Sequence, residues 1–144
     1  MIISCDTSFL FSLFGNDAHS TLALEYVQNH AFSLTLTPFN YFEFYSALHL
    51  SEFRNTLSKA QTLTSITAFE NNLASKVFLK APCNLEVILM EARKFSSHYA
   101  TKEGHRAFDV IHVAAARHLN AKMFLTFDKK QQSLANNLGL ETPL

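Results

Sequence analysis

The sequence has no tryptophan, two cysteines, three glycines and three prolines in 144 residues, and no net charge, because twelve Lys and Arg balance twelve Asp and Glu. Each scarcity excludes something. Cys5 and Cys83 stand far apart and belong to no Cys-x-x-Cys pair or Cys/His spacing, so neither a disulfide framework nor a zinc site is expected, and a reducing cytoplasm suits them. So little glycine and proline, with 48% hydrophobic residues, excludes a collagenous or low-complexity chain and predicts a compact fold. No apolar run approaches the roughly eighteen residues of a membrane span. Phe9-Leu10-Phe11 is preceded by Asp6 and by no basic segment, which argues against a signal sequence. The expectation is a cytoplasmic protein with no membrane association, forming one domain over residues 1–144. Charge of one sign is also missing locally. Residues 1–53 hold five acids (Asp6, Asp17, Glu25, Glu43, Glu52) and no Lys or Arg, so every base falls in residues 54–144. Such asymmetry marks an interaction surface or merely a solvated face, and both readings stay open.

What is present alternates between strand and helix signals. Met1 to Cys5 reads as a buried strand, and Thr7 to Phe14 as an apolar helix capped by Asp6 and stopped at Gly15-Asn16. Asp17 can cap a helix from Ala18 to about His30, with Leu22, Tyr26 and Val27 on one face. Ser33 to Thr37 alternates with period two, as a strand does, and Pro38 suits the first turn of an aromatic helix over Phe39 to Phe53. Thr56 to Ser75 reads as a helix through Leu63, Ile66, Phe69 and Leu73. A short strand at Val77-Phe78-Leu79 and a helix from Glu86 to Tyr99 (Val87, Met90, Phe95) follow, then a loop at Lys102-Glu103-Gly104-His105. Asp109 to Leu119 is a helix rich in small residues, Met123 to Thr126 a strand, and Asp128 starts a last helix that ends near Gly139. This order predicts an α/β fold with a mainly parallel twisted sheet and helices on both faces. Sites in such sheets collect beyond the carboxyl ends of the strands, where Asp6 and Asp128 fall.

Four acids are the candidates for chemistry. Asp6, Asp109 and Asp128 are each explicable as helix caps. Glu43 is not, since its helical neighbours Phe39, Ser46, Ala47 and Leu50 make a face of low polarity, where an unpaired carboxylate is costly. Gathered carboxylates need a cation, and Mg²⁺ or Mn²⁺ suits oxygen ligands.

In order along the chain, Met1-Ile2-Ile3-Ser4-Cys5-Asp6-Thr7-Ser8, Glu43 in the helix after the second strand, Phe108-Asp109 before an alanine-rich helix, and Leu125-Thr126-Phe127-Asp128 near the C-terminus resemble the PIN domain, and most the VapC-type toxins of toxin–antitoxin pairs. The resemblance covers essentially the whole chain. It implies a PIN-like three-layer fold, a metal site of Asp6, Glu43, Asp109 and Asp128, and cleavage of RNA to leave a 5′-phosphate. It also implies a cognate antitoxin and a homodimer. Thr126 then orients a carboxylate or water, although a strand-end threonine needs no such role. Water activated at a divalent ion attacks the phosphodiester in this scheme, without a side-chain general base.

Arg106, Lys129 and Lys130 are the candidate phosphate contacts, against a solvated helix start for the lysines. His112, one turn after Asp109, faces the site or serves packing. The aromatic stripe of Phe39, Tyr41, Phe42, Phe44 and Tyr45 is core or dimer interface, or else stacks bases. Two alternatives share the acids: a non-catalytic PIN-like module that binds RNA or protein, and a housekeeping PIN nuclease. A phosphatase with Asp6 as nucleophile wants a second Asp two residues on, where Ser8 stands.

Overall fold

A computed structural model describes residues 1–30 and 32–144. Four short parallel strands, β1 (Ile3–Cys5), β2 (Leu34–Leu36), β3 (Phe78–Lys80) and β4 (Met123–Leu125), form a sheet in the order β3-β2-β1-β4. The helices are α1 (Thr7–Phe14), α2 (Ser20–Asn29), α3 (Pro38–Phe53), α4 (Lys59–Ala74), α5 (Leu85–Phe95), the single turn α6 (Thr101–Glu103), α7 (Ala107–His118) and α8 (Lys129–Asn137). Two apolar clusters flank the sheet. One joins Ile3, Cys5, Leu34, Leu36 and Leu125 to Phe9, Phe44 and Phe69 from α1, α3 and α4. The other packs Phe124 against α5, α7 and α8, with Ala114, Ala115 and Ala116 giving close approach. The fold is α/β, a parallel sheet flanked by helices, as the strand and helix order predicts.

Local chemistry explains the element starts. Asp6 caps α1 and Asp128 caps α8, each accepting a backbone N–H three residues on at 2.9 Å. Pro38 occupies the first turn of α3, and the Asn40 side chain accepts the Thr37 N–H at 2.8 Å. Among the described residues no helix is long and apolar enough to cross a membrane.

Several expectations need correction. Helix α2 begins at Ser20 rather than Ala18, because Asp17 accepts the His19 N–H and holds a turn instead of capping. Helix α4 begins at Lys59, with Ser58 as its cap, and not at Thr56. The helix expected to run to Tyr99 is α5 to Phe95, continued by a π-helical turn over Ser96–Ala100 and by α6, so Lys102 and Glu103 are helical and the loop is confined to Gly104, at φ +70°, His105 and Arg106. The buried faces are turned in part: Tyr26, Val27, Ile66, Phe69, Leu73 and Phe95 pack against the core as expected, but their companions do not. Ala23 rather than Leu22, Thr62 and Ser65 rather than Leu63, and Ile88 and Ala92 rather than Val87 and Met90 point inward. Strand β2 is buried on both sides, with Thr35 as well as Leu34 and Leu36 covered, because it lies inside the sheet.

Candidate functional site

The buried polar residues are concentrated at the carboxyl edge of the sheet: Asp6, Thr7, Thr37, Asn40, Thr126 and Gln131, with His112 from α7. Pairing of β1 with β4, Cys5 opposite Leu125, puts the residue after each strand beside the other, and the Asp6 N–H donates to the Leu125 carbonyl at 3.1 Å. The cap geometry of Asp6 therefore leaves its carboxylate in the site. Oδ1 accepts the Phe9 N–H at 2.9 Å, while Oδ2 accepts the Ser8 hydroxyl at 2.7 Å and the Thr126 hydroxyl at 2.8 Å. Burial pushes the Asp6 carboxyl above its ordinary pKa, and these three donors and the nearby His112 counter it only in part.

Thr126 is a junction. Its oxygen accepts the Asp128 N–H at 3.1 Å and lies 3.0 Å from Gln131 Oε1, whose Nε2 donates to the Asp109 carbonyl at 3.0 Å. With one hydroxyl proton, Thr126 serves Asp6 or Gln131, not both.

Glu43, in the middle of α3, is not left unpaired. His112 Nε2 lies 2.6 Å from Glu43 Oε2, and the Thr7 hydroxyl donates to the same oxygen. Asn40 donates to the Cys5 carbonyl at 2.9 Å and lies 3.5 Å from His112 Nδ1. Partial burial works to raise the Glu43 pKa, but the hydrogen bond and charge of His112, the Thr7 hydroxyl and Arg106 outweigh it, and the carboxyl lies below its ordinary value. The cost of an unpaired Glu43 is thus no argument for a metal by itself: His112, 69 residues away, meets it.

Asp109 sits at the third position of α7 rather than at its cap. Its carboxylate accepts from the Arg106 backbone N–H at 3.3 Å and from Arg106 Nε at 3.0 Å. The Arg106 side chain is 80% exposed and the Asp109 side chain 18%.

All four acids line one open cavity of about 300 Å³, together with Ser8, Arg106, His112, Asp17 and His19. Lys129 and Lys130 are exposed on the first turn of α8 and do not line it. Five carboxylates therefore face a single guanidinium, an excess of negative charge on hard oxygen donors that fits a divalent cation. Among the described residues no three of His, Cys, Asp and Glu form a preformed cage. Asp109 is held by Arg106 and Glu43 by His112, so binding an ion means exchanging those partners.

Several residues of the site were not singled out from the sequence. Ser8 and Gln131 had a signal, standing two residues after Asp6 and three after Asp128, where hydroxyl and amide groups return to a helix cap. Asn40, three after Thr37, had the same one. Asp17 and His19 had none, since only the turn before α2 brings them to the cavity.

The family model of the PIN domain matches residues 3–137. No curated protein matches the chain. Among solved structures the chain is similar to VapC20 of Mycobacterium tuberculosis, a Sarcin-Ricin loop cleaving toxin, with 15% identity over 91% of this chain and 93% of that one and a TM-score of 0.69. It is similar to a toxin–antitoxin complex from Klebsiella pneumoniae, with 15% identity, 99% and 98% covered, and a TM-score of 0.65. It is also similar to VapBC-1 of nontypeable Haemophilus influenzae, with 20% identity, 99% and 96% covered, and a TM-score of 0.65. At such identities the likeness is one of fold.

Proposed function

The chain belongs to the PIN domain family, and from that premise we propose that it is a metal-dependent endoribonuclease, the toxin of a toxin–antitoxin pair, leaving a 5′-phosphate on its product. The observation that carries this is the cavity at the carboxyl edge of the sheet, where Asp6, Glu43, Asp109 and Asp128 converge against one guanidinium.

In this reading the four acids hold Mg²⁺ or Mn²⁺. When bound, such an ion supplies Lewis-acid chemistry, offsetting phosphodiester charge and making water acidic enough to attack near neutral pH. The chain's own residues do the rest. Ser8 and Thr126 fix the orientation of Asp6, and His112 and Thr7 fix Glu43. Arg106, at the edge of the cavity with an exposed side chain, exchanges Asp109 for a phosphate oxygen of the RNA, and Lys129 and Lys130 contact phosphates farther along the strand. A single domain over residues 1–144, a homodimer, a cytoplasmic site of action and a cognate antitoxin belong to the same proposal. Two of the similar structures, a toxin–antitoxin complex and VapBC-1, support the antitoxin.

The test is Mn²⁺-dependent cleavage of RNA by the wild type, Asp6→Asn and Asp109→Asn. Cleavage lost in both variants is expected; undiminished cleavage in both refutes the assignment.

A further inference from the structure

Phe42 and Phe108 do not line the acid cavity, but each is next in sequence to an acid that does, and nothing in the cleavage scheme uses them. Phe42 is 66% exposed in the interior of α3, leaving most of an apolar ring in water. Each phenylalanine immediately precedes a cavity acid, Glu43 on α3 and Asp109 on α7. Their rings stack, with centroids 6.1 Å apart and planes 30° from parallel. Phe108 in turn lies 6.0 Å from the His112 ring, which is part of the cavity wall. Phe42 also borders an open groove of about 420 Å³ shared with Tyr41, Tyr45, Ser46 and His49. The result is an aromatic ledge that starts at the cavity wall and crosses the outer face of α3.

We infer that this ledge is the subsite for nucleobases flanking the scissile phosphate of single-stranded RNA, with Phe42 as the stacking platform. The inference rests on the reading of the cavity as a ribonuclease site. A nucleotide presents a flat apolar face joined to an anion, and here the exposed Phe42 ring stacks on the half-buried Phe108, two residues after Arg106, whose side chain is exposed and paired with the cavity acid Asp109. The same two helices carry the rings and the acids, so a base stacked on Phe42 holds the adjoining phosphate in register with Glu43 and Asp109. Stacking is tolerant of base identity because every base has a π face. The ledge accordingly positions RNA and selects for unpaired strands rather than for a sequence.

The test combines Phe42→Ala with Asp6→Asn, so that RNA is held uncut. A short single-stranded RNA carrying 2-aminopurine beside the cleavage site reports stacking by its quenching. Phe42→Ala is expected to weaken binding about tenfold and abolish the quenching, with an unchanged Tm because the ring is exposed. Phe42→Tyr restores both. An abasic nucleotide at that position weakens binding to the protein that retains Phe42 and has no further effect on Phe42→Ala. If the wild type cuts RNA but Phe42→Ala binds, quenches and cuts as well as its parent, the ledge assignment alone is overturned. Loss that Phe42→Tyr does not restore overturns it too. So does intact RNA binding with lost affinity for a co-purifying protein, which assigns the rings to a protein contact. Failure of the wild type to cut any RNA overturns the ribonuclease reading and the ledge with it.

Discussion

Replacing Asp6 by Asn separates what this residue does for the fold from what it does for the chemistry. The carboxylate accepts three hydrogen bonds, from the Phe9 N–H, the Ser8 hydroxyl and the Thr126 hydroxyl. The amide keeps them nearly all. Its oxygen retains the Phe9 N–H, its nitrogen donates to Ser8 or Thr126, and Thr126 turns its own proton to Gln131 Oε1, 3.0 Å away. Bonds to a charged acceptor contribute about 1.5–3 kcal/mol each and neutral ones about 0.5–1.5, so exchanging the three costs about 3–4.5 kcal/mol in all. Removal of a buried charge acts in the opposite direction. Burial raises the Asp6 pKa in the folded state, so its contribution to stability is present while the carboxyl is protonated and is lost as pH rises through that raised value. Above that raised value and without metal, the buried Asp6 charge weighs against the fold, so Asp6→Asn is expected within about 1–2 kcal/mol of wild type, or above it. Metal reverses the order. At a hundred times its Kd an ion adds about 2.7 kcal/mol to the wild type, about 8 °C in Tm for a chain of this length, and adds nothing comparable to Asp6→Asn. Cleavage falls at least ~100-fold, since even residues one step removed from a metal ligand cost 10–100-fold. Thermal unfolding in EDTA and in Mn²⁺, with RNA cleavage on the same samples, measures all of this. An equal metal-induced rise in Tm in both proteins, with cleavage retained, would falsify the placement of Asp6 at the centre of the site.

Thr126→Val removes a buried hydroxyl that touches Asp6, Gln131 and the Asp128 N–H, so it should lower stability by about 1–3 kcal/mol and depress cleavage, while Thr126→Ser keeps most of both. Equal behaviour of the two variants in denaturant unfolding and cleavage refutes the junction. His112→Ala empties a buried imidazole site and takes the partner from Glu43, for an expected loss of about 2–4 kcal/mol by urea denaturation; an unchanged midpoint contradicts the network. Lys129→Ala with Lys130→Ala should leave metal stabilisation intact but flatten the salt dependence of RNA binding, by about 0.7 in log–log slope for each phosphate no longer neutralised. An unchanged slope removes the lysines from the substrate path.

The strands, the caps at Asp6 and Asp128 and the parallel sense of the sheet follow from short-range chemistry, and the sequence by itself carries them. Asp6 before Phe9 and Asp128 before Gln131 are caps whether or not the rest of the chain is present, and short apolar strand segments alternating with helices point to a parallel sheet. Helix phase is less local. Leu22 and Ala23, or Leu63 and Thr62, are one residue apart, and a sparse apolar pattern admits either face until neighbouring helices choose. The four acids are legible as a set only through the order they share with the PIN pattern; their convergence is a matter of sheet register, which sets Cys5 beside Leu125 across more than a hundred residues. Tertiary structure alone decided that Glu43 is paired. Its partner His112 comes from another helix, and the buried Asn40, reaching from α3 to the end of β1, faces that imidazole. A carboxylate that looked costly on its own helix is satisfied in the fold, because the energy of a buried charge depends on what packing brings within about 3 Å and not on its neighbours in sequence.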